Sequence, residues 1–190
     1  MKRLLAALRD FLRRHARPYD NGEGVGHLYH ADGRLYLGRY QVASLAGFVL
    51  RLHHIATAHL DRHMHDHPWH FVSLVLSGGY VELRPKSTSP CFEGDTERAT
   101  ARHRLAGSLA FRRATDRHRI AYVRADTWTL FLTWPRIQWW GFYTPKGKVY
   151  WKDYPSVHPA SATINTKLER LRQFEEAAAI RDRLGTDDTD

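Results

Sequence analysis

Seven histidines (His53, His54, His59, His63, His65, His67 and His70) fall between positions 53 and 70 of a chain that holds 13 in all. The densest part, His63-Met-His65-Asp-His67-Pro-Trp-His70, runs directly into FVSLVLS, a continuous apolar and β-rich run. Residues two apart on an extended chain point the same way, so His65 and His67 aim two imidazoles at one place. Neutral imidazole is a common ligand of iron, zinc, copper and nickel. A third ligand must come from another strand. His118, which opens HRIAYV after a strand and a turn, is the best candidate. The expected chemistry is that of a facial metal site with open positions. His63 and His70 stand as additional ligands or as neighbours of the ligands. Asp66 stands as a carboxylate that orients an imidazole by accepting from its free N–H. A competing set is His59-Leu-Asp61, an H-x-D pair that with His118 supplies two imidazoles and a carboxylate. The bland alternative is a group of surface histidines in a loop.

Other polar side chains can face the same pocket. Tyr80 and Glu82 alternate with Val81 and Leu83 and so share one face of their strand. Arg112 and Arg113 lie just before the turn to His118, and Tyr122 has the parity of His118. Tyr122 and Arg112 are therefore the candidate catalytic residues. A tyrosine beside a metal can donate to substrate, and an arginine can clamp a carboxylate or phosphate. Against this stand core packing for Tyr122 and cross-strand pairing on an exposed face for Glu82, Arg112 and Arg113. Cys91, the only cysteine, lies in a loop with no assigned role.

The elements that must position these groups are mostly strands. Residues 1–20 hold an amphipathic helix, with Leu4, Leu5, Leu8, Phe11 and Leu12 at spacings of three and four and Pro18 as its stop. From 27 to 154, eight to ten short β-rich segments are separated by turn residues. They begin with a hairpin around Ala31-Asp32-Gly33 and include a break at Gly78-Gly79 and a polar loop over 86–102. No long crossover helix interrupts them, so the fold class is an all-β core of sandwich or jelly-roll type. Residues 155–162 read as a linker, 163–185 as a C-terminal helix with a Thr166/Glu169 capping box, and 186–190 as an acidic tail.

The residues just quoted carry a resemblance. The H-x-H before an apolar strand ending in glycine, followed by a distant histidine, is similar to the two motifs of the cupin superfamily over residues 48–152. More narrowly, HDHPW-x-F-x-S-x-x-L-S-G-G-Y-x-E, then G-x-x-x-F-R, HR, TWTL and WGFYTPKGKVYW, resembles a group of small bacterial and phage cupin proteins to which no reaction is attached. The resemblance implies a double-stranded β-helix with the metal inside the barrel, and pairing of two copies through edge strands as a homodimer. The carboxylate that many cupins place soon after the H-x-H is absent, since those slots hold His70 and Phe71. Three neutral imidazoles, His65, His67 and His118, then form the expected ligand set, similar to the ferrous site of thiol dioxygenases. The segment LERLRQFEEAAAIRDRL also resembles the short UVR motif, a helical hairpin used for protein contacts; an amphipathic helix packed on the barrel or a second subunit explains it as well.

Composition bounds the rest. The chain has 190 residues and a net charge of +9. Eight Phe, nine Tyr and six Trp are too many for a disordered chain. One cysteine excludes a disulfide framework. No apolar run reaches the roughly 18–20 residues of a membrane span, and Arg9, Asp10, Arg13 and Arg14 interrupt any signal-like stretch, so the expectation is a cytoplasmic protein. The absence of an RNP-like or helix-turn-helix signature disfavours nucleic acid as a direct partner. The expected function is that of an iron(II)-dependent dioxygenase or hydroxylase acting on a small anionic molecule or a side chain. A zinc, nickel or manganese isomerase or lyase, and a non-catalytic regulatory barrel, are the alternatives.

Overall fold

The computed structural model describes residues 1–19, 26–29, 33–58, 63–86 and 99–154. His59, Asp61, Cys91 and everything from residue 155, including the expected linker, C-terminal helix and UVR-like segment, lie outside the described residues.

One helix, α1 (Lys2–His15), precedes twelve strands: β1 (Arg17–Pro18), β2 (Leu28–Tyr29), β3 (Leu35–Leu45), β4 (Phe48–Ile55), β5 (Phe71–Ser77), β6 (Gly79–Pro85), β7 (Ala99–Leu105), β8 (Leu109–Arg112), β9 (Arg119–Val123), β10 (Thr127–Thr133), β11 (Gly141–Thr144) and β12 (Gly147–Tyr150). The large sheet runs β1-β3-β4-β10-β5-β8, with β2 also on β3. A second sheet runs β7-β6-β9, and β11 pairs with β12. Isolated bridges from His65 to His118 and to Phe142 join these two smaller pieces into one face. The chain thus alternates between faces: β4 large, His65 small, β5 large, β6 and β7 small, β8 large, β9 small, β10 large, β11 small. That alternation is a double-stranded β-helix, a form of jelly roll.

The strand sequences explain the layering. On the large sheet, Leu52, Leu76 and Trp128 form a buried cluster with Leu12, the one buried residue of α1. Covering a leucine of this kind is worth about 1.5–3 kcal/mol, which is why the helix lies on the outside of this sheet. The opposite parity faces the interior, where Ile55 and Val75 meet Tyr80 and Ile120 from the small sheet. Gly78, at φ 64, makes the crossing from β5 to β6; a Cβ there would collide with Thr127, so the Gly78-Gly79 break is a requirement of the turn. One expectation needs correction. The stretch read as a loop over 86–102 contains the start of β7, which pairs along β6 from Gly79↔Leu105 to Pro85↔Ala99. As an edge strand with exposed Ala101, Arg102 and His103, it lacks the alternating apolar face that marks a strand in sequence.

Candidate metal centre

Residues 63–67 form a short extended piece inserted between β9 and β11. His65 and His118 exchange backbone hydrogen bonds, each 3.0 Å. Tyr143 N–H donates to Met64 O at 2.8 Å and His67 N–H to Ala114 O at 3.0 Å. This register turns the His65 and His67 rings to the same side as His118. The three rings form a nearly equilateral triangle, with centroids 5.1, 5.0 and 5.0 Å apart. One ligating nitrogen from each lies within 4.8 Å of the others. His67 Nε2 and His118 Nε2 are 2.7 Å apart.

Glu82 fixes the orientation of His118. Its Oε1 lies 2.9 Å from His118 Nδ1. A carboxylate only accepts, so Nδ1 carries the proton and Nε2 presents its lone pair to the triangle. Arg112 donates to both oxygens of Glu82, through Nε at 3.0 Å and also through its terminal nitrogen, and Arg104 Nε donates at 3.1 Å. Glu82 is 2% exposed. Burial opposes its ionisation, yet the hydrogen bond from His118 and the hydrogen bonds and charge of Arg112 prevail and hold its carboxyl well below the ordinary range. A set of three neutral nitrogens, one of them locked in the ligating tautomer, fits a divalent first-row metal. Aromatic rings wall the triangle: Phe71 lies 4.7 Å from the His67 ring, Phe142 5.5 Å and Trp140 5.9 Å from the His65 ring.

The other sequence candidates fall elsewhere. Arg112 is buried and donates to Glu82, so it positions the carboxylate that positions His118. Tyr122 does not join the triad. A register shift on β9 places it opposite Val81, on the face of β6 turned away from Glu82, and it is 37% exposed. Asp66 orients no imidazole. It is buried and accepts from Gly141 N–H at 2.8 Å, Tyr143 O–H at 3.0 Å, Gln138 Nε2 at 3.3 Å and Lys148 Nζ at 2.5 Å, which ties the ligand segment to β11 and β12. Burial and the Asp66 charge push the Tyr143 phenol up to about 12. His63 Nδ1 pairs with Tyr154 O–H at 2.8 Å, and His70 Nδ1 accepts from Ala114 N–H at 3.0 Å, so both stand outside the triangle. Tyr80 is buried beside Glu82 and its side chain bonds to Ser73; burial raises its phenol above the usual value. Arg104 was not singled out by the sequence. Trp140 and Phe142 carried a signal as part of the aromatic-rich second half and of the WGFYTPKGKVYW stretch, and Phe71 as the first residue of the strand that follows the histidines.

No family model matches the chain, and no curated protein matches it. Among solved structures it is similar to a conserved protein with a double-stranded β-helix domain from Klebsiella pneumoniae subsp. pneumoniae MGH 78578, at 16% identity, over 69% of this chain and 92% of that one, with a TM-score of 0.42. It is also similar to KdgF from Halomonas sp., at 17% identity over 54% and 82% of the two chains, TM-score 0.40. A third likeness is to hydroxypropylphosphonic acid epoxidase from S. wedmorenis, at 14% identity over 52% of this chain and 50% of that one, TM-score 0.38. The fold assignment follows from the strand order itself. No helix among the described residues is long and apolar enough to cross a membrane.

Proposed function

We propose that this barrel is a metal-dependent enzyme, an iron(II) dioxygenase or hydroxylase for a small anionic substrate, with His65, His67 and His118 as the ligands. The observation that carries the reading is the convergence of three ligating nitrogens within 4.8 Å on the inside of the barrel. A divalent ion held there supplies Lewis acidity, open coordination positions and one-electron chemistry. The chain's own residues do the rest. Glu82 keeps the proton on His118 Nδ1. Arg112 and Arg104 keep Glu82 ionised and aimed. Phe71, Phe142 and Trp140 line the triangle with apolar surface. Three neutral ligands leave the ion's charge uncompensated, which favours an anionic substrate.

The test is anaerobic purification with elemental analysis of the wild type beside His67→Ala and His118→Ala. Stoichiometric iron that both variants lose, together with oxygen uptake, supports the reading. Zinc, nickel or manganese in its place moves the function to Lewis-acid isomerisation or elimination at the same ligands. Equal metal content in all three proteins removes the proposed ligands altogether.

A further inference from the structure

A second group of polar side chains enters the barrel from the large sheet, and the triad does not use it. Arg51 and His53 lie two apart on β4 and both are buried, at 6% and 9% exposure. Their parity is that of Ile55, which belongs to the interior cluster. Arg51 stands directly across from Phe131, and the His53 ring stacks on Phe131 at 4.7 Å. The Arg51 guanidinium donates to Thr133 Oγ1 at 3.3 Å and lies over the rings of Tyr19, at 4.6 Å, and Trp69, at 5.3 Å. No ion pair between Arg51 and a carboxylate exists among the described residues. Two further buried atoms beside it, Trp69 Nε1 and His53 Nε2, have no hydrogen-bond partner among the described residues.

A guanidinium and an indole N–H only donate, and a neutral imidazole donates from one nitrogen and accepts at the other, so His53 adds a third donor in the tautomer that carries its proton on Nε2. Buried donors without acceptors are costly, and a buried cation without a counter-charge more so. A single oxyanion that reached all three would relieve them together. The path to the triad is short and continuous: His53 stacks on Phe131, Phe131 meets Phe71 at 4.6 Å, and Phe71 meets His67 at 4.7 Å.

We propose that Arg51, Trp69 Nε1–H and His53 form an oxyanion subsite that seats the carboxylate or phosphate of the substrate, with Phe71 and Phe131 as the apolar floor between that anion and the triad. The substrate class is then a small molecule with an oxyanion at one end, a few carbons lying over the two phenylalanines, and a reacting group at the metal end. The role in catalysis rests on the metal reading above; the anion site itself does not.

The experiment uses the full chain after chelation of its metal. Inorganic phosphate and, separately, acetate are titrated at ionic strength matched with chloride, and the melting temperature and intrinsic tryptophan fluorescence are followed. Phosphate or acetate is expected to raise the melting temperature and to change the emission saturably in the wild type; the tighter of the two identifies the end group. Arg51→Met is expected to weaken binding about tenfold or more, the loss of one charge-assisted contact. Trp69→Phe, which removes only the N–H and keeps an aromatic face under Arg51, is expected to weaken it several-fold and keeps the test decisive if Arg51→Met does not fold. A wild type that responds to neither anion beyond the chloride control overturns the proposal, as does unchanged affinity in Trp69→Phe. Because the readout is taken on metal-free protein, a failed metal analysis leaves this result standing, and a failed anion titration leaves the metal reading standing.

Discussion

Glu82 Oε1 sits 2.9 Å from His118 Nδ1, and the same carboxylate is held by Arg112 from the opposite sheet and by Arg104 from the neighbouring strand. The orientation of one proposed ligand is thereby tied to an ion-pair network that spans the barrel. Glu82→Gln keeps the shape and an acceptor but removes the charge. Metal affinity is expected to fall about 10–100-fold, the range for partners that orient a ligand, measured by competition with a chelator. Unchanged affinity would mean that Glu82 serves only the fold.

Loss of stability in acid is expected to have two stages. Burial, reinforced by the charges of Arg51 and Arg39, lowers the His53 imidazole from its ordinary 6.5 to about 3. The unfolded imidazole takes up its proton first, so the stability owed to a neutral His53 is complete above 6.5 and drains away as pH falls toward 3. Glu82, held below its ordinary 4.5, contributes fully above that value and loses its contribution as pH falls further. Urea unfolding as a function of pH should show His53→Gln flattening the upper stage by about 2–3 kcal/mol between pH 6.5 and 4.5. Glu82→Gln should flatten only the lower stage.

Asp66→Ala is expected to act through position. It strands Lys148 Nζ, Tyr143 O–H and Gly141 N–H around a buried hole. The expected loss is about 3–5 kcal/mol, as for breaking a buried charged network. Metal retention should fall with it, because the same contacts hold residues 63–67 against β11. A variant of near wild-type melting temperature would contradict this account.

Tyr122→Phe should change little. Its hydroxyl faces away from Glu82 and the triad, so stability should stay within about 0.5 kcal/mol and metal content should match the wild type. A loss of bound metal in this variant would require a different register for β9.

The histidine triangle was legible because strand parity is a local rule: His65 and His67 are two apart, and His118 opens a strand. Tyr122 obeys the same rule on paper and breaks it in the barrel, because the register shift opposite Val81 and Glu82 reverses its side. Nothing in RIAYV announces that shift. The Arg112–Glu82 pair was hidden for a different reason. Arg112 ends β8 on the large sheet and Glu82 lies in β6 on the small one, so their contact exists only once both sheets face each other. The alternation of Arg51, His53 and Ile55 in FVLRLHHI marks an inward face with polar members, but Arg51 alone in a short strand does not say which parity turns inward.

Among the described residues, the two pieces of the small face are joined by residues 64–67, which bond to His118 and Ala114 on one side and to Gly141 and Tyr143 on the other, with His65 bridged to both His118 and Phe142. Without that stitch, β7-β6-β9 and β11-β12 share no hydrogen-bonded edge. The seam between the two pieces therefore lies where the chemistry of the barrel is proposed to lie. An ion gripping both His65 and His118 would act as a rivet across it, and amide hydrogen exchange at His65, His118 and Tyr143 would slow on loading far more than in β4 or β10.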